Sequence, residues 1–225
     1  VSAVINEMGR VAAPTPEAVL DAAETLFARQ GHEATSMRQI TALAGVNLAA
    51  VNYHFGSKEG LVQAVLKRRL GALNQERLNQ LEQLEWQAGL TGQPVKASQI
   101  VDAFFGTLIR LARQDKAGIW PLLERSMTEP TVFIRTLFAQ EYSDVLERYK
   151  QALLKALPGV PHDEIVWRFQ FMLGAASFAL TGTKELREVM GWQENAQDAA
   201  QEEANLLPRL MSFLLGGLRA PLQSP

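Results

Sequence analysis

The stretch "TSMRQITALAGVNLAAVNYHFGSKEGL", Thr35 to Leu61, decides how the chain is read. Ser36 precedes an apolar-periodic run and Gln39 follows three places later, the reciprocal capping pattern of a helix start. Met37, Ile40 and Leu43/Ala44 give that helix an inward face, and Gly45 ends it. Val46 turns the chain. Asn47 caps a second short helix, Leu48 to about His54, whose inner side carries Val51 and Phe55 four residues apart. Gly56 breaks it and Ser57 caps the next helix. Two short helices across a Gly-containing turn predict a helix-turn-helix, in which the second helix offers its N-terminal end to the major groove.

The pattern around this core is helical almost throughout. Upstream, Thr15 is the N-cap and Pro16 the first residue of a helix that Gly31 ends, with Val19, Ala22/Ala23 and Leu26/Phe27 as its stripe. Downstream, Leu61, Val62, Val65, Leu66, Leu70, Leu73, Leu81 and Leu84 predict a long fourth helix ending near residue 85. "QAGLTGQPVKAS" breaks the pattern, and further helices are expected over 98–114, 119–127, 131–156, 162–188 and 203–218. No alternating strand pattern and no repeat occurs. The fold class is therefore all-α: a loose arm over 1–14, a three-helix helix-turn-helix domain over 15–60, and a helical ligand-binding and dimerisation domain over 61–225.

Composition narrows the chemistry. The chain has 225 residues, an apolar fraction of 47% and no cysteine, which removes disulfides and thiolate chemistry. Asn6, Glu7 and Arg10 interrupt the N-terminal stretch, so no secretory signal is expected there. The most apolar run, Phe171 to Leu180, is too short to span a bilayer, and no membrane association is expected. A cytoplasmic location follows as an expectation. The formal net charge of −2 gives no global pull towards nucleic acid, so a binding argument must rest on local charge. That argument exists: no acid occurs between Ala34 and Lys58, while Arg38 and Lys58 are basic. Helix N-termini at Ser36, Asn47 and Ser57 aim amides at phosphates, and Thr35, Ser36, Arg38, Tyr53, His54 and Lys58 add side-chain donors. The leading turn Leu48, Ala49 and Ala50 is slim and apolar, suited to thymine methyls, with Asn47 or Asn52 as the reader of an adenine. The operator should lean towards A/T.

"ATSMRQITALAGVNLAAVNYHFGSKEGL" resembles the DNA-binding segment of the tetracycline-repressor (TetR) family, through Thr35-Ser36, Arg38, Ile40, Ala44-Gly45-Val46, His54-Phe55, Ser57-Lys58-Glu59 and Leu61. Two positions depart from the family pattern: Asn52 stands where Tyr is usual and Thr41 where Ala is usual. Tyr53, one place later, is the candidate to take over the phosphate contact of position 52. "AGVNLAAVNYHFGSK" together with "FMLGAASFALTGTKELR" is similar to the PsrA-type branch, whose members are fatty-acid-responsive repressors of lipid catabolism. The resemblance implies an operator-binding homodimer built through the last two helices, released by a small hydrophobic effector such as a fatty acid or acyl-CoA.

Between the helices of the body, such an effector would meet Phe104, Phe105, Leu108, Trp120, Leu123, Met127, Phe138, Phe169, Met172 and Leu173. Arg125, Arg135, Arg168 or Lys184 are candidates for its head group. "GAAS" from Gly174 and "LLGG" from Leu214 place small residues where helices approach closely. No catalytic constellation, cofactor motif or metal-ligand spacing is found, since neighbours such as His162-Asp163-Glu164 do not converge on a helix. An enzyme is not expected. Two alternatives remain open at this point: the same DNA binding with a drug-like hydrophobic effector, and a helical lipid-binding protein without DNA binding.

Overall fold

The computed structural model describes residues 15–114, 132–181, 189–191 and 199–222. Every regular element among them is helical, as the periodicity predicts. They divide into two compact units, one ending at Leu66 and the other beginning at Lys67.

In the first unit, α1 (Pro16–Ala34) packs on α2 (Met37–Ala44) and α3 (Leu48–Phe55). Thr15 caps α1, its hydroxyl accepting from the Ala18 amide at 3.3 Å. Gly31 adopts φ 78°, which a residue with a β-carbon avoids, and its non-helical backbone interrupts the helix there, as expected. One further turn follows, to Ala34, and Thr35 fastens it by donating its hydroxyl to the Gly31 carbonyl at 2.7 Å. Val19, Ala23, Phe27, Ile40, Val51, Leu61 and Val65 form the core. Leu43, expected inside, is exposed; Thr41 takes the inward place beside Ile40. Its hydroxyl donates to the Arg38 carbonyl at 2.9 Å, which lets a polar side chain face the core at little cost.

The long helix α4 (Lys58–Thr91) starts in the first unit and continues into the second. It runs past residue 85 to Thr91, with Gly92 at φ 66° following it, and Arg148 donates to Glu85 at 3.0 and 2.5 Å. The next helical stretch is not uniform. α5 (Ala97–Val101) leads into a π-helical turn (Asp102–Gly106) and then α6 (Thr107–Gln114). Ala103 to Ile109 are all buried, so this stretch has no solvent face. α7 (Val132–Ala156), α8 (His162–Thr181) and α9 (Ala199–Leu218) complete the described part. α8 packs on both α7 and α9, and α9 also meets α5 and the π turn. The helix expected at 119–127 and the stretch 182–188 lie outside the described residues.

Candidate nucleic-acid interface

The short helices of the first unit are cut out by their caps. Ser36 and Gln39 close the reciprocal box: the Gln39 amide donates to the Ser36 hydroxyl at 3.2 Å, and the Ser36 amide donates to the Gln39 side chain at 2.8 Å. Gly45 ends α2 in the left-handed conformation, φ 68°. Asn47 starts α3, its side-chain oxygen accepting from the Ala50 amide at 2.7 Å. Gly56 then stops α3 with its amide on the Asn52 carbonyl at 2.9 Å.

This punctuation leaves α3 with two different sides. Val51 is fully buried and Phe55 half-buried on the inner one. Leu48, Ala49, Asn52 and Tyr53 fall on the outer one and are exposed; Ala50 is half-buried at the edge. Tyr53 is 86% exposed, with its ring edge-on to His54 at 5.2 Å. An aromatic ring so open to water on a packed helix has no structural task in its own unit. Ser36, Arg38, Asn47 and His54 are exposed as well.

Two expected contacts are placed otherwise. Thr35 is buried at 1% exposure, and its hydroxyl is committed to the end of α1, so it shapes the turn instead of facing outward. Lys58 is half-buried and donates from Nζ to the Glu33 carbonyl at 2.9 Å, a cation at the C-terminal end of α1. The three helix N-termini also differ. At α4, the backbone amide of Glu59 and the Ser57 hydroxyl hold the Glu59 carboxyl below its ordinary value. That end already carries an anion, which leaves the N-termini of α2 and α3 open to phosphate.

In the second unit the aromatic residues gather into a packed cluster. Phe104 meets Phe105, Tyr149 and Phe169 at ring distances of 4.9, 4.9 and 5.0 Å, and Phe105 meets Phe169 at 5.7 Å. Leu108 and Met172 are buried and Leu173 is half-buried. Trp120, Leu123 and Met127 lie outside the described residues, as does the side chain of Phe138. A cavity of about 390 Å³ opens elsewhere, between α4, α7 and the segment before α5, lined by Leu81, Glu85, Val95, Ile100, Arg148 and Lys155 among others. None of the six expected pocket residues that are described borders it.

Of the head-group candidates, Arg168 is taken. It is buried, its Nε donates to Glu164 at 2.7 Å, and its Nη1 donates to the Leu218 carbonyl at the end of α9 at 2.5 Å. Arg125 and Lys184, and the side chain of Arg135, lie outside the described residues. The sequence reading passed over Arg77 of α4, which is fully buried against Phe104. The outer side of α8 and α9 is apolar instead of charged. Trp167, Phe171 (65% exposed) and Phe178 line α8, and Phe213 (69% exposed) stands on α9. Gly174 and Gly216 are exposed too, with open space where a β-carbon would be. Among the described residues no helix is long and apolar enough to cross a membrane, and no acid–histidine cluster has the geometry of a metal site.

Comparison with known proteins agrees with both units. Residues 19–65 match the profile described as bacterial regulatory proteins, tetR family, and residues 102–217 match that of the tetracyclin repressor-like C-terminal domain. The HTH-type transcriptional repressor Rv3405c of Mycobacterium tuberculosis is 53% identical over 49 residues. That match spans 22% of this chain and 26% of the repressor's length, so most of both chains lies outside it. The fatty acid degradation regulator FadR of Bacillus halodurans superposes with a TM-score of 0.65 at 14% identity, covering 93% of this chain and 100% of its own. FadR of Bacillus subtilis, solved with stearoyl-CoA, gives 0.60 at 16%, covering 90% and 99%. At such identities the likeness is one of fold. With both family profiles matched in order along one all-helical chain, the protein belongs to the TetR family of bacterial regulatory proteins.

Proposed function

We propose that this protein is a transcriptional repressor that grips a pseudo-palindromic operator as a homodimer and releases it when a hydrophobic effector enters the body. The observation that carries the DNA reading is the outer side of α3, where exposed Leu48, Ala49, Asn52 and Tyr53 follow a capped start in an acid-free stretch. Ser36, Arg38, Tyr53 and His54 grip phosphates; Leu48, Ala49 and Ala50 approach thymine methyls. Asn52 is the better base reader of the two asparagines, because a bidentate contact to adenine needs the amide oxygen, which Asn47 spends on its cap. The apolar outer side of α8 and α9 supports the dimer, and a two-fold pair is what sets two recognition helices about 34–36 Å apart on one face of DNA.

The effector is a long-chain acyl compound, a reading supported by the aromatic cluster of the body, the likeness to the PsrA-type branch and the stearoyl-CoA bound by a protein of the same fold. It acts by preferring one arrangement of the heads over the other. The test starts from a random duplex pool enriched on the purified protein. Fluorescence anisotropy then compares the winning duplex with a scrambled one at 50 and 200 mM salt. The winner should bind more tightly and lose affinity by orders of magnitude as salt rises. Binding that ignores salt, or that treats both duplexes alike, sinks the repressor reading.

A further inference from the structure

Arg77 is 1% exposed, among the largest fully buried side chains of the described residues. Burial pulls its proton affinity down, yet a guanidinium keeps its charge inside proteins. A buried charge is normally paired. Here the recorded partners are neutral. Nε donates to the Phe104 carbonyl at 3.0 Å and Nη1 to the Asn74 side-chain oxygen at 3.1 Å, and the Tyr142 side chain is a further hydrogen-bond partner. The guanidinium carbon sits 3.8 Å from the Phe104 ring centre and 5.5 Å from that of Tyr142. None of the ion pairs among the described residues includes Arg77.

The frame around it is rigid. Asn74 is itself fixed by donating to the Glu141 carbonyl at 2.6 Å, and the Tyr149 hydroxyl donates to the Arg77 carbonyl at 2.7 Å. Phe104, whose ring covers the guanidinium, is itself packed on Phe105, Tyr149 and Phe169. A fixed cation and an apolar wall, with no counter-ion among the described residues, are the complement of an amphiphile with a single compact negative group.

We propose that Arg77 is the head-group anchor of the effector, and that the group it takes is the carboxylate of a free fatty acid, with the chain lying along Phe104, Phe105 and Phe169. The proposal rests on the acyl-effector reading above and deepens it. It separates two chemistries that the reading left together. A CoA thioester brings no charge at its carbonyl, and its phosphates belong to a large nucleotide that needs water. A guanidinium this deeply buried meets the carboxylate of a slim acid and not those phosphates. A carboxylate also competes with the Phe104 carbonyl for the guanidinium, which puts the π turn in line to respond.

The test uses the full chain and three probes below their micelle concentrations: palmitate, hexadecanol and palmitoyl-CoA, followed by intrinsic tryptophan fluorescence or calorimetry. Palmitate should bind about tenfold or more tighter than either of the others. Arg77→Met should collapse the acid-to-alcohol ratio towards one, and Arg77→Lys should restore part of it. Equal binding of palmitate and hexadecanol to the unaltered protein overturns the Arg77 proposal and leaves the acyl reading standing. So does an Arg77→Met protein that keeps the acid preference. Binding of none of the three probes removes the acyl reading and the proposal with it. If Arg77→Met fails to give the native circular-dichroism spectrum, the acid–alcohol comparison on the unaltered protein decides.

Discussion

The two units are held by different kinds of bond. In the head, Thr15, Ser36, Asn47 and Ser57 each accept from an amide three residues on, so these helix starts are written by their own residues, with Lys58 to Glu33 as a longer link. In the body the comparable bonds reach far along the chain. Asn74 meets Glu141, Arg77 meets Phe104, Tyr149 meets Arg77 and Arg168 meets Leu218, at separations of 67, 27, 72 and 50 positions. The head is a set of local instructions. The body is a set of agreements between distant helices, and a change at either end of one is felt at the other.

That contrast can be broken most forcefully on the outer side of α8. Replacing Trp167 and Phe171 together by Glu puts two charges on a stripe that no described element covers. Dimer dissociation, read by analytical ultracentrifugation, should strengthen by about a hundredfold or more, because buried aromatic anchors carry most of an interface. Operator binding should fall with it while the monomer's helix content stays. A dimer untouched by the change would place the interface elsewhere, and a protein monomeric before it would remove the dimer.

Inside the body, Phe104→Ala removes the ring that touches Phe105, Tyr149, Phe169 and Arg77 at once. Denaturant unfolding should show a loss of about 3–5 kcal/mol. In the head, Asn47→Ala deletes one local cap and should cost about 1 kcal/mol. Its larger effect should be on operator affinity, since the lost cap frays the turn that reads bases. A loss of similar size at both sites would erase the distinction between local and distant bonding.

The smallest effect sharpens the comparison at the surface of the body. The Arg148 side chain donates to Glu85 and holds its carboxyl below the ordinary value of 4.5. A lowered carboxylate pKa stabilises the fold above the unfolded value and ceases to do so as pH falls through the folded one. Unfolding free energies of the native protein and Glu85→Gln, from denaturant titrations, should therefore differ slightly at pH 7, by well under about 1 kcal/mol for so exposed a pair, and converge below pH 4.5. A gap that persists at pH 3 would point to packing instead of charge.

Much of the head was legible because its residue types are themselves instructions: Ser36 with Gln39, Asn47 before Leu48, glycines at 45 and 56. What misled there was fine placement. Leu43 and Thr41 exchanged the roles their polarity suggests, since the hydroxyl of Thr41 could be satisfied by a carbonyl of its own helix. Thr35 reads as a donor at the front of a helix, yet the kink at Gly31 gives it an internal carbonyl. In the body, Arg77 sits in "NQERLNQ", a run that looks like the wet side of a long helix. Its burial is created by Phe104 and Tyr149, which no window around residue 77 contains. Phe104, Phe105 and Phe169 of the expected wall pack on one another, and the cavity beside Arg148 mixes apolar Leu81, Val95 and Ile100 with charged Glu85, Arg148 and Lys155, a set drawn from distant helices that no local window shows.

The π turn at Asp102–Gly106 amounts to a slip in phase. It accommodates one residue more than an α-helical turn would, so the stretch before it and the stretch after it obey two different clocks of about 100° per residue. Asp102 and Arg110 clasp each other across the slip at 3.1 Å, over Gly106, where a β-carbon would collide with both. Forcing all of these residues into a continuous α-helix would reset α6 to the earlier clock and swing Leu108 and Ile109, both buried, about 100° around the helix axis. The packing of the body's central helix thus depends on a count of residues as much as on their identity.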